Sequence, residues 1–222
     1  MSRPMSGLGL LALALLAVAL VVNDGALATG LGALALVVGG VAWFEGGALS
    51  TRELAVVATL AAAAAAGRVV FAAIPGVQPV TVIAIIAGAT LGARAGAATG
   101  ALAAFVSNLF LGEGIWTPQQ MLGWGLCGVA GALLAPVVRT RAGLAVVGAV
   151  LGFGFSLSMD IWLWWGFAPH TLPSLIAVVA RGLWFDFAHA AGNVALALAA
   201  GPELRRLLQR YADRISTEVV WA

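Results

Sequence analysis

Residues 68–120 read RVVFAAIPGVQPVTVIAIIAGATLGARAGAATGALAAFVSNLFLGEGIWTPQQ, and the fold depends on how this stretch divides. Two polar, proline-bearing connections, PGVQP (75–79) and GEGIWTPQQ (112–120), flank two short apolar segments joined at one arginine, Arg94. In lipid every backbone N–H and C=O must be satisfied within its own segment, so such segments are helices. Two successive crossings return the chain to the side it left. Both connections are therefore expected on one membrane face, as two walls of a single mouth.

Lipid is the expected solvent. Of 222 residues, 62% are hydrophobic and 9% charged, where a soluble domain carries about a quarter charged residues. A chain this apolar cannot hide its surface in a water-facing globule. Cys127 is the single cysteine and lies in an apolar run, which excludes a disulfide framework and a cysteine metal site.

Apolar runs fall at roughly 8–22, 27–43, 54–74, 79–92, 95–111, 120–138, 142–165 and 174–200. Most approach the ~20 residues that span ~30 Å of hydrocarbon; the run 79–92 is short, and the first is short to a lesser degree. The expectation is an all-α, polytopic membrane bundle with eight crossings. The second run follows the first closely and no small-residue cleavage site intervenes, so a cleaved signal peptide is not expected.

Orientation follows from the cations, all of which are Arg. With the N-terminus inside, Arg3, Arg52, Arg94, Arg139, Arg141, Arg205, Arg206, Arg210 and Arg214 lie at inner ends. The opposite connections, around Asn23–Asp24, at 75–79, at 112–120 and at 166–173 (GFAPHTLP), hold no Arg. This is the positive-inside pattern, with both termini cytoplasmic. The expected divisions are a transmembrane hairpin over 1–48, a core over 49–201 and a basic tail over 202–222. The stretch PELRRLLQRYADR (202–214) reads as an amphipathic cap on anionic lipid.

Small residues recur at helical spacing: Ala58, Ala62 and Ala66; Gly88, Gly92, Gly96 and Gly100; Gly123, Gly125, Gly128 and Gly131. Such spacing lets helix backbones approach closely in lipid. For most of these the reading is packing within the chain. The Ala58 face has an alternative, docking onto another membrane subunit.

Ionisable groups within membrane helices are costly unless paired or wet, and so mark candidate sites. Arg68 lies beneath PGVQP, Arg181 in the outer half of the last run, Asp160 near the outer end of the seventh run, and Asp186 mid-helix. Asp186, His189 and Asn193 form one polar stripe by their three- and four-residue spacing. Partners on other helices are expected, with Arg68 a candidate for Asp186 or Asp160. The stripe is either a structural seam or the floor of an outward pocket. Gln78, Asn108, Gln119 and Gln120 fall in or beneath the two connections. Trp116, Trp162, Trp164, Trp165 and Phe167 crowd the same face, as an interfacial belt or as stacking surface for a flat ligand. His170 reads as merely exposed.

No HExxH, GxSxG, CxxC or Walker A pattern occurs. Asp186 and His189 make only a two-ligand DxxH fragment. The site is read as binding, without catalytic residues, metal or cofactor, and no nucleic-acid partner is expected. A membrane-embedded enzyme using Asp186 and His189, or a structural membrane subunit, remains the alternative.

The run 67–136 resembles the substrate-binding S components of energy-coupling factor (ECF) vitamin transporters, closest to the group of cobalamin-type and unassigned S components with an added N-terminal hairpin. QPVT (78–81), SNLFLGEGIWTPQQM (107–121) and the Gly-rich helix that follows carry the resemblance, which covers about 53–200. It implies a six-helix core with the hairpin added, in the plasma membrane. It implies a vitamin or cofactor precursor bound under the connections 75–79 and 112–118. It also implies docking of the Ala58, Ala62 and Ala66 face onto a transmembrane coupling subunit that joins two cytoplasmic ATPases. The expected substrate-binding residues are Arg68, Gln78, Asn108, Trp116, Gln120, Asp160, Trp164, Arg181, Asp186 and His189.

Overall fold

The computed structural model describes residues 6–45 and 49–218. Arg3, the 48/49 division and residues 219–222 of the expected tail touch or lie outside these bounds. The described residues form helices α1 (Gly7–Val21), α2 (Gly25–Glu45), α3 (Thr51–Val70), α4 (Val80–Leu91), α5 (Ala93–Leu111), α6 (Thr117–Leu133), α7 (Arg141–Phe167), α8 (Leu172–Ala199) and α9 (Gly201–Glu218), with a 3-10 turn at Val137–Arg139 and no strand. The chain is an all-α, membrane-embedded protein.

Several helix starts carry side-chain caps. Ser50 and Glu53 form a reciprocal capping box on α3, the Ser50 N–H reaching Glu53 Oε2 at 2.7 Å. Thr140 caps α7 and Thr171 caps α8. Two helix ends differ from the apolar runs. The third run extends to 74, but α3 stops at Val70, because Pro75 disfavours helical backbone just before it. The sixth run extends to 138, but α6 ends at Leu133, ahead of Pro136.

Of the helices α1–α8, five (α2, α3, α5, α7 and α8) are long and apolar enough to cross a membrane. The other three have 15 (α1), 12 (α4) and 17 (α6) residues. At 1.5 Å per residue α4 is about 18 Å long, well short of the hydrocarbon thickness. It is stable there because protein surrounds it. Val80, Thr81, Val82, Ala84, Ile85, Ile86, Ala87 and Gly88 are all buried, and α3, α5, α6, α7, α8 and α9 all pack against α4.

Glycine makes this hub possible. α4, α5 and α6 meet backbone to backbone at Gly88, Gly96 and Gly128, where an added Cβ on any of the three would strike another's main chain. Gly92 does not pack; at φ 93° it forms the one-residue turn between α4 and α5.

The bundle has two chemically distinct ends. At one, the tail of α3, the start of α4, the tail of α5 and the start of α6 converge, as side-chain hydrogen bonds from Arg68 and Asn108 show. PGVQP and GEGIWTPQQ thus lie on the same end. At the other end the arginines gather. Arg94 stacks on Trp43 of α2 at 5.2 Å. The Tyr211 hydroxyl of α9 donates to the Arg52 carbonyl at 3.0 Å, and Arg205 donates to the carbonyls of Val138 and Arg139. Helix α9 therefore caps this end, with Leu208 buried. The hairpin is fastened at both ends, by Trp43 and by Gly25 against the Trp165 and Gly166 carbonyls.

Candidate functional site

Arg68 occupies the last turn of α3 and is 8% exposed. Its Nε donates to Gln78 Oε1 at 3.2 Å, and its Nη1 donates to Ser107 Oγ at 2.7 Å and Asn108 Oδ1 at 2.6 Å. The guanidinium lies 4.8 Å from the Trp124 ring centroid. Every one of these partners is neutral. Among the described residues Arg68 forms no salt bridge, and neither Asp160 nor Asp186 reaches it. The expected pairing of Arg68 with one of them is corrected: the guanidinium faces α5 and the first connection, whereas both aspartates lie between α7 and α8.

Asn108 extends the network. Its Nδ2 donates to Thr117 Oγ1 at 2.9 Å and Gln120 Oε1 at 2.8 Å, and the Thr117 hydroxyl donates to Glu113 at 2.6 Å. One buried amide therefore ties the α5 terminus to the second connection and passes Arg68 contacts toward an exposed carboxylate.

A second chain of hydrogen bonds starts from Trp124. Its indole N–H donates to Thr81 Oγ1 at 3.0 Å, and Thr81 meets His189 Nε2 at 3.3 Å. His189 Nδ1 lies 2.8 Å from the Gly76 carbonyl. A carbonyl only accepts, so Nδ1 carries the proton, and the Thr81 hydroxyl then donates to Nε2. A neutral imidazole is fully satisfied in this way. Asn193 of the same stripe turns its amide back onto the His189 carbonyl at 2.9 Å.

This chain holds PGVQP against α8. Gly76 has φ 75°, and a Cβ there would stand 2.5 Å from the backbone of Ala188 and His189. Only glycine allows so close an approach. Trp124 also stacks on Phe155, centroids 4.1 Å apart. The space beneath the two connections is thus occupied by Arg68, Trp124 and His189.

Four expected site residues, Arg68, Gln78, Asn108 and Gln120, come together in one network, and His189 joins it through Trp124 and Thr81. The others do not share that space. Trp116 and Arg181 are exposed. Trp164 donates its indole N–H to Ser174 Oγ at 2.9 Å, pinning α7 to the start of α8. Asp160 packs against Gly182, and Asp186 lies one turn further along α8. The single mouth lined by Arg68, Asn108, Trp116, Asp160 and Arg181 is corrected accordingly: the polar groups near the loops bond to each other, and the aspartates face a different interface. A hollow of about 280 Å³ does lie nearby, between α2, α6 and α7, lined by Thr29, Gln119, Ser158, Ile161, Trp162 and Trp165. Sequence reasoning missed Thr81, Ser107, Thr117 and Trp124. The first three lie inside the quoted motifs; Trp124 sits one helical turn beyond Gln120 among glycines.

The Ala58, Ala62 and Ala66 face of α3 is exposed, while Val57, Leu60, Ala61, Ala64 and Ala65 on its other side are buried.

Residues 48–206 match a protein-family model described as a family of unknown function (DUF6580). No curated protein and no solved structure matches the chain.

Proposed function

The chain belongs to the DUF6580 family, and we propose that it is the membrane-embedded substrate-binding subunit of an ECF-type importer. In this reading it captures a vitamin or cofactor precursor at the loop end, and the resemblance points to a cobalamin-type ligand. It passes the ligand on through a transmembrane coupling subunit and two ATPases. The six helices α3–α8 form the S-component core, the hairpin α1–α2 is an addition, and the arginine end is cytoplasmic in a plasma membrane.

One observation carries the reading. Arg68 is a buried guanidinium with neutral partners alone, placed where both proline-bearing connections meet. An uncompensated cation inside a membrane helix costs several kcal/mol. An anionic group arriving from the loop end offsets that cost. The connections are closed in this state, so entry requires PGVQP to lift from α8. The exposed alanine face of α3 supplies a surface on which a coupling subunit can lie closely.

The test is binding without ATP. Purified chain is titrated calorimetrically with cobalamin, cobinamide, riboflavin, folate, thiamine and queuosine precursors, and copurifying small molecules are identified by mass spectrometry. The expectation is one tight ligand, weakened by Arg68→Ala. No ligand from either approach overturns the reading.

The filling of the loop end by Trp124 and His189 favours a second reading, a structural membrane subunit without ligand. It predicts that hydrogen exchange in residues 74–79 stays uniformly slow. The enzyme reading draws less support, since both His189 nitrogens are engaged and neither meets Asp186.

A further inference from the structure

The interface between α7 and α8 carries a second polar constellation, separate from the loop end. The two helices run antiparallel. Gly152 faces His189 and Asn193, while Asp160 faces Gly182, its carboxyl filling the space a Gly182 side chain would take. Ser156, midway between Gly152 and Asp160, is therefore level with the turn of α8 that bears Asp186. Asp186 is 1% exposed and Ser156 is 3% exposed.

These groups share one property. Ser156 Oγ, Asp160 Oδ2 and Asp186 Oδ2 are buried without a hydrogen-bond partner among the described residues. Ser156 differs in this from several other hydroxyls of these helices. Thr29, Thr59, Thr99, Ser107 and Ser158 each donate to a carbonyl in their own preceding turn, and Ser156 does not. Among the described residues no cation answers the carboxyls: Arg181 is exposed and bonds to neither, and Arg68 is engaged elsewhere. A buried polar atom without a partner is rare and costly, and a buried carboxylate more so.

We propose that Ser156, Asp160 and Asp186 form a binding site for a small hard cation, held by carboxylate and hydroxyl oxygens between α7 and α8. Oxygen donors of this kind suit sodium, magnesium or calcium. No group of three or more His, Cys, Asp and Glu side chains able to hold a metal occurs among the described residues; the third donor here is the Ser156 hydroxyl. The proposal is independent of whatever the loop end captures.

The test is cation-specific stabilisation of the full chain in detergent, read by thermal unfolding. Choline chloride with a chelator sets the baseline. NaCl, MgCl₂ and CaCl₂ are then compared at matched ionic strength, which also separates monovalent from divalent occupancy. At saturating concentration one of these ions is expected to raise Tm by about 5 °C or more. Asp186→Asn and Asp160→Asn are expected to raise the half-saturating concentration at least about tenfold, and Ser156→Ala by a smaller factor; the loop-end variant Gln78→Ala leaves it unchanged. If an aspartate variant fails to fold, Ser156→Ala and the wild-type cation comparison still decide. Equal Tm in all four salts overturns the site, as does a half-saturating concentration unmoved by these substitutions.

Discussion

The guanidinium of Arg68 lies over the face of Trp124 at 4.8 Å, while the indole N–H of the same ring is donated to Thr81. One side chain thereby joins the buried guanidinium of the loop end to the hydrogen-bond chain that clamps PGVQP on α8. A buried cation over a ring face gains about 2 kcal/mol when desolvated, and Trp124 is fully buried.

Replacing Trp124 therefore separates two contributions. Trp124→Phe retains an aromatic face and removes the N–H, so the expected loss is about 1 kcal/mol. Trp124→Ala removes the ring that packs on both Arg68 and Phe155, with an expected loss of about 3–5 kcal/mol. Thermal or denaturant unfolding in detergent measures both. Equal losses would show that the hydrogen bond, not the ring, organises the site.

Gly76→Ala tests the clamp. The new Cβ meets the backbone of Ala188 and His189, and the residue is held at φ 75°. Backbone cannot yield as a flexible side chain does, so the connection is expected to lift from α8. Hydrogen exchange should quicken in residues 74–79 and around His189, with global stability reduced by about 1–3 kcal/mol. Unchanged exchange would mean that the loop is held by something other than this contact.

The α4–α5–α6 hub makes a paired prediction. Gly128→Ala places a methyl against the Gly96 main chain, whereas Gly125→Ala meets the Ala97 carbonyl at an ordinary 3.4 Å. Gly128→Ala is expected to abolish the folded yield or lower Tm by about 10 °C or more, and Gly125→Ala to stay within a few degrees of wild type. Size-exclusion chromatography and thermal unfolding separate the two.

How much of this the sequence discloses depends on the kind of signal. The shared end of the two proline-bearing connections is legible, because two helices in succession must return the chain. The arginine end is legible because burying Arg in lipid is costly, so its positions mark the helix ends. The close packing at Gly88, Gly96 and Gly128 is legible as spacing. What is not legible is which polar groups satisfy each other. Arg68 and the aspartates look like natural partners by charge, yet the chain places Ser107 and Asn108 within reach of Arg68 and leaves both carboxyls between α7 and α8. Charge says that a partner is needed and nothing about which helix supplies it. Hydropathy marks the run 79–92 as short for lipid, but not that protein sheathes it.

Arg68→Gln is the substitution that divides stability from capture. In most proteins truncating one member of a buried charged pair leaves the other stranded, but Arg68 has no charged partner to strand among the described residues. Its three acceptors, Gln78, Ser107 and Asn108, lose a donor and keep the option of bonding to the new amide. Removal of a desolvated charge offsets part of that loss, as it does when buried ions give way to neutral groups. The net change in stability is expected to fall within about 1 kcal/mol, well below the cost of losing Trp124. Binding of an anionic ligand at the loop end should instead fall by at least about a hundredfold, the size of a charge-assisted hydrogen bond lost from a buried site. Unfolding and calorimetric titration on the same preparation give both numbers. A variant that unfolds readily and binds normally would mean that Arg68 holds the bundle together and takes no part in recognition.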